Sequence, residues 1–103
     1  MCTYNTEHAQ ITGSGKGRAG WVALSRATVY YDHPVHAQAE HTLNIDLTGD
    51  DAAGNRIAVE LTAESARELV AAIERALGNV PPELLDRDAV STRPGVGEVT
   101  RSV

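Results

Sequence analysis

At 103 residues the chain has room for one domain with a small core; Phe is absent, and the large aromatics are Tyr4, Trp21, Tyr30 and Tyr31. The net charge of -5, fourteen acids against nine bases, argues against a nucleic-acid module, which needs a basic face to neutralise phosphates. No apolar run approaches the roughly 18 residues of a membrane span, the first residues lack the pattern of a secretory leader, and a single cysteine allows no internal disulfide, so the cytoplasm is the expected compartment.

Residues 4–12 have the composition of an edge strand. Gly13-Ser14-Gly15-Lys16-Gly17-Arg18-Ala19-Gly20 then reads as a flexible hairpin loop. It is not a Walker motif, although its amides with Lys16 and Arg18 would offer an anion some purchase. Trp21-Val22-Ala23-Leu24 restarts an apolar stretch, Ser25-Arg26 marks a bend, and residues 27–31 continue as a strand with Val29 and Tyr31 on one face. His8 and Trp21 read as ordinary strand residues, and Tyr30 and Tyr31 as packing groups.

Residues 42–47 alternate most clearly, with Leu43, Ile45 and Leu47 inward and Thr42, Asn44 and Asp46 outward. After a turn over residues 49–55, residues 56–61 repeat the alternation, with Ile57, Val59 and Leu61 inward and Glu60 outward. Residues 63–77 form an amphipathic helix: Thr62 is its N-cap, Ala66, Leu69, Val70, Ile73 and Leu77 its apolar stripe, and Gly78 its stop. Residues 80–85 could form a short turn of helix. From Asp86 onward no periodicity is visible, and a mobile tail is expected.

The expected architecture is α+β: an antiparallel meander of about four strands with one C-terminal helix packed on one face. The domain would occupy residues 1–78, and residues 79–103 would be a loosely attached tail. The second sheet face would be solvated or would meet another copy. Exposed edges and a small core favour a homodimer.

The candidate site is the segment Asp32-His33-Pro34-Val35-His36-Ala37-Gln38-Ala39-Glu40-His41. In a hairpin of the flanking strands, His33 follows the parity of Val29 and Tyr31, and His41 that of Leu43 and Ile45. Both imidazoles then stand on one face at the loop mouth, with Cβ atoms about 5 Å apart. Pro34 favours an extended His33. His36 could supply a third nitrogen, a set suited to Zn, Fe, Cu or Ni. Glu40 would be a fourth ligand or a general base, and Asp32 would orient a ring. If Pro34 instead opened a short helix, His36 and Glu40 would be i,i+4 neighbours. The plain alternative is a set of solvated loop histidines, since no standard zinc pattern is present.

Cys2 would become the terminal residue on removal of Met1, with an amine and a thiol able to act together as nucleophile or chelator. Beside the hairpin it would complete a His3Cys set; the plain reading is a small apolar residue near a chain end.

The segments Met1-Cys2-Thr3-Tyr4 and Gly13-Ser14-Gly15-Lys16-Gly17, with residues 27–37, 40–46 and 59–67, resemble a family of short, mostly actinobacterial proteins, a domain of unknown function. The likeness spans residues 1 to about 77 and implies no activity. Two functions are expected from the residues alone. One is a small metal-binding protein using His33, His36, His41 and Cys2, with Glu40 as the catalytic group if it is an enzyme acting on a small molecule. The other is a non-catalytic dimeric module contacting a protein or a small anionic ligand.

Overall fold

The computed structural model describes residues 5–50 and 55–91, with the backbone alone at residue 86 and residues 88–91. The chain divides into two compact units, Met1–Arg67 and Glu68–Val103. The first holds four strands, β1 (Thr6–Gly17), β2 (Gly20–Asp32), β3 (Thr42–Thr48) and β4 (Arg56–Leu61), in one antiparallel sheet of order β1-β2-β3-β4. With the helix α1 (Ala63–Gly78) this is the α+β meander that the alternation implies.

Register fixes the two faces. Tyr30, Asn44 and Glu60 lie side by side across three strands, and Tyr31, Leu43 and Leu61 occupy the next rung. Neighbours along a strand point to opposite faces, so the first set belongs to the polar face and the second to the apolar face.

The glycine-rich segment is strand and not loop, which corrects the expectation for residues 13–20. β1 runs to Gly17, β2 begins at Gly20, and only Arg18 and Ala19 form the turn. Lys16 is paired with Trp21 in the ladder, so the segment's backbone serves the hairpin. Gly15 is there for close approach. A Cβ at Gly15 would lie 2.5 Å from Ile57 Cδ1 and 2.9 Å from Leu24 Cδ1. The edge strand β1 thus comes against a residue of the opposite edge strand β4, and no side chain fits between them.

The bend expected at Ser25-Arg26 is present as an irregularity. Gln10 pairs with Arg26 but Gly13 pairs with Leu24, so two residues of β1 oppose Ser25. Leu24 and Ala27 are three residues apart, yet both are buried, at 7% and 8% exposure, which strict alternation would not allow. Leu24 and Ile57 both approach the place that a Cβ on Gly15 would occupy. Gly49 has a related role: a Cβ there would collide with the backbone oxygen of Ala23.

The polar face is not solvated throughout. Thr42 is 0% exposed and Asn44 6%. The Thr42 hydroxyl donates to Asn44 Oδ1 at 2.6 Å, and among the described residues no buried side-chain nitrogen or oxygen lacks a partner. The loop described below is bonded to Glu60 on this same face.

Thr62 caps α1 as its sequence implies: its hydroxyl accepts the Ser65 N–H at 3.1 Å, and its carbonyl accepts that of Ala66 at 2.9 Å. The stop differs. Gly78 is the last helical residue and does not take positive φ, as Gly20 does at 124°. A tight final turn ends the helix, with Asn79 N–H on Ala76 O and Val80 N–H on Leu77 O, and Pro81 follows. A second helix, α2 (Pro82–Ser91), replaces the short turn and extends into the segment expected to lack structure. Pro82 suits a first helical position, and Glu83, Leu84, Leu85 and Arg87 are good helix formers with no break until Pro94. The remaining tail, residues 92–103, lies outside the described residues.

Candidate functional site

The loop between β2 and β3 is pinned at three points. Asp32 Oδ1 accepts the backbone N–H of His33 at 2.6 Å. His33 Nδ1 bonds the backbone oxygen of Glu40 at 3.0 Å, joining the two ends of the loop. At the middle, the Glu60 carboxylate accepts three consecutive amides: Val35 at 2.6 Å, His36 at 3.1 and 3.3 Å, and Ala37 at 2.8 Å.

That last set defines the path of the chain. The loop leaves β2 at Asp32 and returns to β3 at Thr42, yet its midpoint is bonded to β4. It therefore arches over β3 on the polar face, where Thr42 and Asn44 are buried. Three successive N–H groups around one carboxylate form an anion-binding nest filled from within the protein. The amides of Ala37 and Val35 foremost, with a smaller effect from His36, hold the Glu60 carboxyl below its ordinary 4.5.

His33 and His41 come together as the hairpin parity requires. Their rings stack with centroids 4.6 Å apart and planes 25° from parallel; Tyr31 continues the stack, 5.7 Å from His41 at 17°. A backbone carbonyl can only accept, so His33 Nδ1 carries the proton of that bond. In the neutral ring the lone pair then belongs to Nε2, the arrangement common in metal-bound histidine.

His36 is not drawn into this pair. Its backbone is tied to Glu60 on the polar face, whereas the stack runs along Tyr31 on the apolar face. The alternative short helix after Pro34 does not form; residues 35–40 are a series of bends. Glu40 touches His33 through its carbonyl, and its side chain is exposed. Among the described residues, no three or more His, Cys, Asp or Glu side chains are grouped to hold one ion. Cys2 lies outside the described residues.

Glu60 is the residue that sequence reasoning missed. It reads there as an outward position on a strand, and its one signal is that Glu is uncommon within strands. Nothing in the order Pro34-Val35-His36-Ala37 announces a nest.

Two further polar clusters line the same sheet. Tyr30 donates its hydroxyl to Asp46 Oδ2 at 3.2 Å, and Arg56 Nε stands 3.6 Å from Asp46 Oδ1. Burial raises the Tyr30 hydroxyl above its ordinary 10.0, and the charge of Asp46 and the hydrogen bond to it add to the shift. The neutral phenol is the favoured folded form, so its stabilisation is complete below pH ~10 and is lost as pH rises through the elevated folded value. The tyrosinate absorbance difference between wild type and Tyr30→Phe should have its midpoint above 10; a midpoint at or below 10 would remove the Asp46 contact from the account.

Around the β-bulge, His8, Ala9, Gln10, Ser25, Arg26 and Asp50 line an open groove of about 500 Å³. There Ser25 donates to Asp50 Oδ1 at 3.0 Å, and His8 Nδ1 lies 3.2 Å from Thr28 Oγ1. The groove meets β2 at its middle, at Ser25 and Arg26, and the imidazole stack lies at the strand's C-terminal end.

Among the described residues, no helix is long and apolar enough to cross a membrane. No curated protein and no solved structure matches the chain. One family model does match, over residues 1–86, which reaches beyond the resemblance seen in the sequence and into α2. The chain therefore belongs to the family of unknown function DUF6295.

Proposed function

We propose that the chain is a small cytoplasmic protein that binds a divalent transition metal, Zn, Fe, Cu or Ni, at the mouth of the β2–β3 loop. The observation that carries this reading is the approach of His33 and His41 to 4.6 Å, with His33 Nδ1 bound to a backbone carbonyl. Turned out of their stack so that the in-plane lone pairs converge, two imidazoles would make half of a tetrahedral site. Further donors would be Cys2, tethered four residues before the start of β1, and His36 from the loop. The Glu40 carboxylate would complete the set or act as a base. If the protein is an enzyme on a small molecule, the bound ion would act as a Lewis acid or activate water.

Titration of tag-free protein with Zn and Ni, followed by calorimetry, tests this. One equivalent should bind, and His33→Ala and His41→Ala should each weaken binding on the order of tenfold to a hundredfold. Wild-type binding that survives in the double variant would end the proposal.

A second reading, a non-catalytic homodimeric module, is favoured by a separate observation. Leu69, Val70, Ile73 and Leu77 of α1 are 44%, 59%, 51% and 52% exposed in the single chain. A second copy would cover such a stripe. In this reading the anionic small molecule or partner protein meets the sheet, with no metal involved.

A further inference from the structure

Among the described residues only Leu24 and Ala27 are buried apolar groups, while Leu69, Val70, Ile73 and Leu77 of α1 stay half exposed. A small domain with so little buried is short of core, and a second copy of the chain can supply the cover. We propose that two copies meet through α1 as an antiparallel helix pair, with Arg67 of each copy set against Glu74 of the other. The inference rests on the homodimeric reading above and specifies its interface.

The charges select both the partner and its direction. At 3.6 residues per turn, Arg67 and Glu74 stand two turns apart on one flank of the stripe, beside Val70 and Leu77. Ser65 and Ala72 occupy the other flank, and Glu64, Glu68 and Arg75 lie on the face away from the stripe. Arg67 and Glu74 are exposed, and among the described residues neither has an ion-pair partner. About 10 Å of helix axis separates them, too far for them to pair with each other. A twofold axis across the middle of α1 brings the charged flank of one copy against the same flank of the second, head to tail. Arg67 then faces Glu74 of the second copy, twice over by symmetry, and Val70 lies against its Ile73. Self-complementarity of this kind is what an isologous contact requires. A parallel pair would set the charged flank against Ser65 and Ala72, which offer it no opposite charge. The stripe supplies the affinity, and the two rim pairs fix direction and register.

The test follows the full chain by sedimentation equilibrium at low salt, with circular dichroism as the check on folding. Wild type should dimerise. Glu74→Arg and Arg67→Glu each turn two attractions into two repulsions, so each alone should weaken the dimer at least about tenfold. An equimolar mixture of these two variants should regain the dimer, as should the chain carrying both substitutions, because opposite charges then face each other again. Val70→Glu, at a residue 59% exposed, should be folded and monomeric. Should it fail to fold, the charge variants, both at exposed positions, carry the comparison. A dimer that charge reversal leaves as tight as wild type, or that the mixture does not restore, overturns the antiparallel pairing alone. A dimer that survives Val70→Glu also overturns it, by placing the interface off the stripe. Wild type that stays monomeric up to about 1 mM overturns the homodimeric reading as well and leaves the stripe to a different protein.

Discussion

Leu24→Ala is expected to cost about 2–5 kcal/mol of unfolding free energy, the range for emptying a buried leucine site. Leu24 is 7% exposed and, with Ala27, makes up the fully buried apolar set among the described residues. Its neighbours limit collapse of the cavity. Gly15 has no side chain to fill the space, and Ile57 is held in register with Leu47 on β4. A domain this small loses roughly 4–8 °C of Tm per kcal/mol, so the expected drop is about 10 °C or more. Thermal and urea unfolding followed by circular dichroism measure it. The control is Val35→Ala, at a residue 96% exposed, where a change within about 0.5 kcal/mol is expected. Equal losses in the two variants would show that the hairpin's distal half does not form the core.

Leu24 also shows where sequence pattern stops being informative. The period-2 pattern of Leu43-Asn44-Ile45-Asp46-Leu47 and of Ile57-Ala58-Val59 depends on nearest neighbours, and it placed β3, β4 and the residues that share a face, but not the burial, since Thr42 and Asn44 are buried while Leu43, Ile45 and Leu47 are half-buried. The parity of His33 and His41 followed from the same local rule and led to the stacked rings. Leu24 breaks parity with Ala27 beside a bulge in β1 opposite Ser25, and a bulge has no fixed composition. Gly13, Gly15 and Gly17 read as a loop because glycine is the common loop residue. For Gly15 the reason is visible only when Ile57, more than forty residues later, arrives at the place a Cβ would occupy.

The same distinction explains the site. His36 groups with the other histidines by proximity in sequence, but a loop's fold-over direction is set by whatever it bonds. Here that is Glu60, on a strand two positions away in the sheet. Thr42 and Asn44 looked solvent-facing for the same reason. They are buried on the face to which the Glu60 nest ties the loop.

Glu60→Ala should therefore release the loop over residues 34–40 while leaving the sheet intact. Amide hydrogen exchange at Val35, His36 and Ala37 is the direct measure, and an acceleration on the order of tenfold or more is expected where three charge-assisted bonds are lost. Protonation of the wild-type carboxylate should do the same. Because its folded value lies below the ordinary 4.5, the stabilisation is fully present above that value. It is lost as pH falls from there through the depressed folded value. Exchange at residues 35–37, corrected for intrinsic acid and base rates, should thus rise in acid in the wild type and stay flat with pH in Glu60→Ala. Exchange within β3, at Ile45 for example, should be unchanged in both over the same range, since its ladder partners Val29 and Val59 do not involve the loop. Parallel acceleration of loop and strand would mean that acid opens the whole sheet and that the nest contributes no separate step. Protection at residues 35–37 that survives in Glu60→Ala would mean that some other contact holds the loop over Thr42 and Asn44.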